Sequence, residues 1–184
     1  MKGKSGKKKA GHGKVASTKK VTSDEKAASY GPYTKKLIEH FRNPHNMGRM
    51  KDADAVGKVG NPICGDVLYM YIKVGIKPSG KLFIKDISFE SFGCAAAVAV
   101  GSMTTELAKG KTLEAALKIS RTDVENSLGK LPPVKKHCSL LASDALHEAI
   151  YQYYKKNNMP IPEELEKTHK RIERESEIAE DIHK

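Results

Sequence analysis

The spacing of apolar residues changes near the middle of the chain. In the segment 67–74 (VLYMYIKV) every second side chain is apolar from Leu68 onward, which is typical of a β-strand with one buried face. A KPSG turn follows, and 81–89 (KLFIKDISF) has the pattern of a returning strand. Beyond residue 95, small and apolar residues run together as in a packed helix. The chain is therefore expected to combine a small antiparallel sheet with helices.

The remaining patterns complete this outline. Apolar residues over 33–41 recur at helical spacing, and this helix should end at Asn43-Pro44, because proline disfavours helical geometry in the preceding residue. Thr122 and Glu125 have capping-box spacing and predict a helix start. A short strand is expected at 56–59, and further helices over 95–109, 112–117, 122–128 and 138–154. The predicted fold class is α+β: a three-stranded antiparallel sheet packed against four to six helices.

Both ends of the chain differ from this core. Residues 1–29 contain nine Lys and two acids, which gives +7 of the total net charge of +11. They are rich in Gly, Ser and Lys, so we expect a disordered tail without an apolar secretory segment or an Arg-rich transit peptide, which favours a cytoplasmic protein. The acidic segment 158–184 has a thin apolar stripe and should be a solvated or loosely docked helix. The predicted division is 1–29, 30–157 and 158–184.

Composition excludes several classes of protein. No stretch of about 18 apolar residues is present to cross a bilayer, so no membrane association is expected. Most of the excess positive charge lies in the tail, and aromatic residues are 6% with no Trp, so nucleic-acid binding is not expected either. Three Cys cannot all pair with one another, which favours a reducing compartment and makes the thiols candidates for chemistry.

Each cysteine lies at a junction between predicted elements. Cys64 comes just before the first long strand, and Asp66 two residues later can point the same way. Cys94 opens the Ala-rich helix, and Cys138, next to His137, opens the last core helix. Because a helix N-terminus stabilises a thiolate, we expect lowered pKa values for the thiols of Cys94 and Cys138.

The residue types allow more than one chemistry. A single free Cys is usually a packed core residue, but three at element ends beside Asp66 and His137 indicate a shared site. Such ligands suit Zn²⁺ or an iron–sulfur cluster, and the carboxylate, a weaker ligand for iron sulfide, suits a cluster that is later released. Two alternatives are a cysteine-nucleophile enzyme with His137 as the base, and a zinc-bearing nucleic-acid binder that uses the Lys-rich tail.

Other polar residues are interpreted as surface positions. His40, His45 and His147 lack a second ligand at helical spacing and are assigned to the surface or to helix caps. Asp144 and Glu148 are assigned to a solvated helix face.

Four segments together resemble one known family. They are HFRNPHNMG (40–48), NPICGD (61–66), FGCAAA (92–97) and LPPVKKHCS (131–139), and in combination they are similar to the IscU/NifU-type iron–sulfur cluster assembly scaffolds. The likeness runs from about Tyr33 to Lys155, so both ends lie outside it. Because no Cys follows Cys138, the chain resembles the stand-alone scaffold form, which lacks the further cluster domains of NifU.

The resemblance implies a scaffold rather than an enzyme. A labile cluster, [2Fe-2S] by expectation, is assembled from iron and persulfide sulfur and passed to apo-proteins, and zinc is an alternative occupant. The implied ligands are Cys64, Cys94 and Cys138, with Asp66 controlling lability and His137 as an alternative fourth ligand. Cys138 is the implied acceptor of persulfide from a pyridoxal-phosphate cysteine desulfurase.

The resemblance also implies partners. In this family the stretch formed by Leu131, Pro132, Pro133, Val134 and Lys135 docks a heat-shock chaperone ATPase, which acts with a J-domain co-chaperone. Two prolines make this stretch extended and non-helical by expectation. A frataxin-like protein, a ferredoxin and apo iron–sulfur proteins are further implied partners, and homo-oligomerisation is left open. Lys136 stands where bacterial relatives commonly have a hydrophobic residue.

Overall fold

The computed structural model describes residues 31, 33–61 and 64–182. In that part of the chain, three strands form one antiparallel sheet in the order β1-β2-β3, and six α-helices accompany it. The strands are β1 (Ala55–Gly60), β2 (Val67–Ile76) and β3 (Leu82–Phe92). The helices are α1 (Lys35–Arg42), α2 (Ala95–Ala108), α3 (Leu113–Ala116), α4 (Arg121–Leu128), α5 (Lys136–Lys156) and α6 (Glu163–Ile182). The predicted α+β class and its three-stranded sheet are confirmed.

One face of the sheet forms the core. Leu68, Met70 and Ile72 alternate along β2 and have no exposed surface, and Met70 pairs across the hairpin with Phe89 of β3. Helices α2 and α5 cover this face, with α2 against β3 and α5 against β1 and β2. Burial of these side chains is what holds the hairpin against the helices.

Helix α5 packs very closely on β1. A Cβ added at Gly57 would lie 2.2 Å from the carbonyl oxygen of Ala145 and 2.4 Å from the backbone nitrogen of Ala149. Glycine on the strand and alanine on the helix therefore allow the two backbones to touch. This contact fixes α5, and with it Cys138, relative to the sheet.

The start of α4 differs from the expectation. Ser120, rather than Thr122, caps this helix, and it forms a reciprocal capping box with Asp123. The Ser120–Asp123 pair and the predicted Thr122–Glu125 pair both have the required spacing of three residues. The helix that starts at Ser120 has Val124 and Leu128 in the core. Glu125 is thereby free to accept a 2.8 Å hydrogen bond from Ser139 of α5.

The C-terminal helix α6 is docked rather than solvated, which corrects the assignment of Asp144 and Glu148 to a solvated face. Both acids are buried on α5. Asp144 accepts a 2.7 Å hydrogen bond from Arg171, and Glu148 lies 2.9 Å from His169 Nδ1. The acidic side chains of α5 thus have basic partners on α6, which sequence spacing alone did not reveal.

Two expectations concern larger features of the chain. The predicted disordered tail, residues 1–29, lies outside the described residues. Among the residues that the structure describes, no helix is both long and apolar enough to span a membrane.

Candidate metal centre

Three loops bring the predicted site residues together at one end of the sheet. Cys64 and Asp66 lie in the loop between β1 and β2, which is closed by backbone bonds from Asn61 to Asp66 and from Gly65 to Asn61. The Asn61 side chain also accepts a 3.2 Å hydrogen bond from the Cys64 amide. These bonds present the exposed Cys64 thiol beside the buried Asp66 carboxylate.

The other two thiols come from helix N-termini. Cys94 is the N-cap residue of α2, and Cys138 is the third residue of α5. Their sulfurs are 3.9 Å apart, and Cys138 Sγ is also 3.9 Å from Asp66 Oδ2. Two thiolates bound 2.3 Å from one tetrahedral metal would be about 3.8 Å apart, so this spacing suits coordination. It is far longer than the roughly 2.05 Å of a disulfide.

Asp66 is common to two groups of candidate ligands. One contains Asp66, Cys94 and Cys138, and the other contains Cys64, Asp66 and His137. Within each group, one ligand atom of every residue lies within 4.8 Å of the others. All five residues singled out from the sequence are therefore neighbours around one carboxylate.

Gly93 makes room for that carboxylate. A Cβ at this position would lie 2.7 Å from both Cγ and Oδ1 of Asp66, which is closer than side chains tolerate. Only glycine allows the Phe92–Cys94 backbone to pass so near Asp66.

His137 and Lys135 complete the surroundings. The His137 Nε2 atom is shielded from solvent and, within the described part of the chain, has no hydrogen-bond partner. Such an orphaned nitrogen beside Cys64 and Asp66 fits a metal ligand. Lys135 faces Cys94, and the electrostatic interaction with the Cys94 sulfur raises the pKa of the Lys135 ammonium. The Lys135 side chain thus provides positive charge at the edge of the site.

The expected lowering of the Cys138 pKa is wrong. Burial raises the pKa of the Cys138 thiol to about 12, and the negative charges of Cys94, Asp66 and Cys64 add to the effect. Loss of solvent also raises the pKa of Cys64. Burial, reinforced by the acidic groups that converge here, outweighs the stabilising effect of the helix N-terminus on a thiolate. A bound cation would supply the missing positive charge, since metal coordination deprotonates a thiol directly.

This arrangement argues against Cys138 and His137 as a nucleophile–base pair. His137 groups with Cys64 and Asp66 rather than with its sequence neighbour Cys138. A general base must reach the proton that it removes, so the assumed pairing of His137 with Cys138 has no geometric support.

The Leu-Pro-Pro-Val-Lys stretch has a buried and an exposed part. Leu131 is 5% exposed and packs in the core, whereas Val134 is 75% exposed. Pro133–Lys135 forms one turn of 3₁₀-helix, so the expected extended, non-helical conformation is wrong for this part. The turn presents Pro133 and Val134 to solvent next to the thiols.

The fold and its convergent thiols define a small α+β protein with a candidate thiol–carboxylate–imidazole site for a metal or a cluster. Comparison with known proteins identifies the family, because the model of the NifU-like N terminal domain matches residues 32–160. The chain is 51% identical over 145 residues to the iron-sulfur cluster assembly scaffold protein IscU 1 of Archaeoglobus fulgidus, covering 75% of this chain and 92% of that protein. It is 45% identical over 124 residues to IscU of Aquifex aeolicus, covering 67% and 77%.

A solved structure agrees with the fold. The N-terminal part of a nitrogen-fixing NifU-like protein from Brucella abortus matches with a TM-score of 0.50 and 25% identity, covering 67% of this chain and 94% of that one. The chain belongs to the NifU-like N-terminal domain family, which confirms the IscU/NifU-type resemblance seen in the four motifs.

Sequence reasoning missed a second group of potential ligands. His40, assigned to the surface or a cap, is buried, and it groups with His45 and Glu106. Glu106 lies about sixty residues further along, so only the packing of α1 on α2 reveals the group.

Proposed function

We propose that this protein is a scaffold on which a labile iron–sulfur cluster, [2Fe-2S], is assembled and then transferred. The observation that carries the proposal is the approach of the Cys94 and Cys138 sulfurs to 3.9 Å beside the Asp66 carboxylate. Cys64, Cys94 and Cys138 supply soft donors for iron, and Asp66 supplies a fourth, harder donor. His137 is the alternative fourth ligand, and Zn²⁺ is an alternative occupant of the same residues.

The choice of a labile cluster rests on this mixed donor set. A carboxylate holds an iron–sulfide unit less firmly than a fourth thiolate would. Cys64 is exposed while Asp66 and Cys138 are buried, so the cargo has one open side through which it can enter and leave. The protein acts as a carrier for this cargo rather than as an enzyme.

Reconstitution tests the proposal directly. The full chain is mixed anaerobically with Fe²⁺, cysteine and a cysteine desulfurase, and visible absorption and Mössbauer spectra are recorded. We expect a cluster that requires each of Cys64, Cys94 and Cys138 and passes readily to an apo-ferredoxin. A colourless protein that retains one tight Zn²⁺ under these conditions overturns the proposal.

Asp66 is assigned to cluster release. If the carboxylate promotes release, Asp66→Ala should make the cluster longer-lived, because His137, an imidazole donor, can then take the fourth position. The matched control is Asp52→Ala, since Asp52 is a surface acid paired with Lys73 away from the thiols. An unchanged transfer rate in Asp66→Ala contradicts the assignment.

Sulfur acceptance is proposed at Cys138. Its thiolate attacks the terminal sulfur of the desulfurase persulfide, a new S–S bond forms, and the desulfurase thiolate leaves with the electron pair of the broken bond. Because Cys138 is fully buried with a raised pKa, the desulfurase must first open the site. Peptide mass spectrometry after one turnover should find an added sulfur atom on Cys138. An added sulfur atom found on Cys64 alone contradicts this step.

The exposed Pro133–Val134 turn is the proposed docking point for a heat-shock chaperone ATPase and its J-domain co-chaperone. A frataxin-like protein and a ferredoxin are proposed to assist assembly, and apo iron–sulfur proteins are the recipients.

Residues 1–29 and 158–184 are proposed to be accessory to a scaffold domain at 30–157. Deleting residues 1–29 should leave cluster assembly intact. Loss of cluster assembly in the shortened chain overturns the accessory role of these residues.

A further inference from the structure

A second cluster of ligand-type side chains lies away from the thiols, where α1 and the loop after it meet α2. His40 is on α1, His45 is on the loop, and Glu106 is on α2. One ligand atom of each lies within 4.8 Å of the other two. Glu106 follows the N-cap Cys94 by 12 residues along α2, which corresponds to about 18 Å of helix. This cluster is therefore separate from the thiol site.

His40 is held as a metal-binding histidine would be. Its side chain is 5% exposed, and its Nδ1 atom lies 2.8 Å from Ser102 Oγ. That bond fixes the ring and leaves Nε2 directed at Glu106 Oε2, 3.9 Å away. Metal-bound histidines usually engage the second ring nitrogen in such a hydrogen bond.

The loop that carries His45 is fixed by several bonds. The His45 amide donates to Ser102 Oγ at 2.8 Å, and the Asn46 side chain donates to Thr105 Oγ1 at 2.9 Å. The Asn46 carbonyl accepts from the Phe89 amide at 3.0 Å. Because α2 and β3 hold this loop, His45 stands beside His40 before any ligand arrives.

A simple ion pair does not account for the whole cluster. His45 Nδ1 contacts Glu106 Oε1, but the 3.9 Å between His40 Nε2 and Glu106 Oε2 is too long for a hydrogen bond. Two ligand atoms about 2.1 Å from one tetrahedral metal would be about 3.4 Å apart, so a small rotation of Glu106 closes the group. His45 and Glu106 are partly exposed, which leaves further coordination positions to water.

We propose that His40, His45 and Glu106 bind one divalent first-row transition-metal ion, such as Zn²⁺ or Fe²⁺, independently of the thiol site. Two imidazoles and one carboxylate suit these borderline metals, whereas Mg²⁺ and Ca²⁺ prefer oxygen ligands throughout. Ser102 acts as a positioning residue because it binds both the His40 ring and the His45 amide.

The test uses Co²⁺ as a spectroscopic probe of the full chain in which Cys64, Cys94 and Cys138 are replaced by Ser. Equilibrium dialysis and visible d–d absorption should show one bound Co²⁺. His45→Asn and Glu106→Gln should each weaken binding at least about 100-fold, and Ser102→Ala about 10- to 100-fold. Glu114→Gln makes the same charge change at an exposed position outside the cluster and should bind like the parent.

A second measurement covers the case in which the thiol-free chain does not fold. The wild-type chain should then bind one Co²⁺ that shows no thiolate charge-transfer absorption. Any Co²⁺ bound at the thiol site would show that absorption. His45→Asn should lose the first Co²⁺ and keep the second. The proposal is overturned if the folded thiol-free chain binds no Co²⁺. It is equally overturned if His45→Asn and Glu106→Gln bind Co²⁺ as tightly as their parent.

Discussion

Arg171 of α6 donates a 2.7 Å hydrogen bond to the carboxylate of Asp144, which is buried on α5. Burial raises the pKa of Asp144 even though Arg171 opposes the shift, while the same bond raises the pKa of Arg171. The carboxylate therefore depends on the guanidinium to stay ionised inside the protein. This pair ties the C-terminal helix to the helix that carries Cys138.

Replacing the guanidinium should weaken the fold. Arg171→Met leaves the buried Asp144 carboxylate without its cation, and the expected cost is about 1–3 kcal/mol in the free energy of unfolding. The cost stays below that of a fully buried pair because the Arg171 side chain is 36% exposed. Urea denaturation measures it, with Arg174→Met as the control, because Arg174 is exposed and bonds the Lys170 carbonyl of its own helix.

A double variant shows whether the pair itself is responsible. In Asp144→Asn the carboxylate no longer needs a cation, so adding Arg171→Met should cost less than it does in the parent. Equal costs in the two backgrounds contradict the proposed dependence of Asp144 on Arg171.

The local part of the fold was predictable, whereas the buried ion pair that docks α6 was not. Alternation in β2 and β3 and the start of α3 at Thr112 follow from residues a few positions apart. The convergence of Cys64, Cys94 and Cys138 followed from their places at element ends. The burial of Asp144 depends on Arg171, 27 residues away, and no local pattern records that distance. The raised pKa of Cys138 likewise depends on neighbours from other loops.

Gly93→Ala tests how closely the backbone approaches Asp66. The added methyl would lie 2.7 Å from the carboxylate, so Asp66 must move, and overpacking of this kind costs about 1–3 kcal/mol. Cluster lifetime should rise as in Asp66→Ala, because the carboxylate is displaced in both.

Two comparisons make that result specific. Gly60→Ala is the matched control, because among the described residues its added Cβ meets Val67 Cγ2 at 3.9 Å, an ordinary contact. In Gly93→Ala/Asp66→Ala, the destabilisation should be largely relieved, since the displaced carboxylate is absent. The steric account is contradicted if the loss of unfolding free energy in the double variant equals the sum of the losses in the two single variants.

Acidification should destabilise the protein through its shielded histidines. Burial lowers the pKa of His147 below its ordinary 6.5, with Asp144 opposing only in part, and burial does the same for His40. As the pH falls through 6.5, the unfolded chain takes up protons before the folded one, so the free energy of unfolding decreases toward the folded-state pKa values.

His147→Gln removes the contribution of His147 to the pH dependence of stability and leaves that of His40. Urea denaturation between about pH 7.5 and 5.5 should give a smaller dependence of unfolding free energy on pH in this variant, with the remaining slope partly due to His40. A slope identical to that of the parent contradicts a role for His147.

The exposed turn near the thiols offers a separable test of partner docking. Val134 is 75% exposed and Ile76, at the end of β2, is 72% exposed, so a charge at either position should leave the melting temperature almost unchanged. If the chaperone grips the Pro133–Val134 turn, Val134→Glu should weaken its binding at least about 10-fold, which corresponds to about 1.4 kcal/mol. Ile76→Glu should not weaken chaperone binding.

Leu131→Ala is unsuitable as a test, because Leu131 is 5% exposed and its truncation should cost about 2–5 kcal/mol of stability. Stimulation of the chaperone ATPase measures the effect, and equal stimulation by parent and Val134→Glu contradicts docking at this turn.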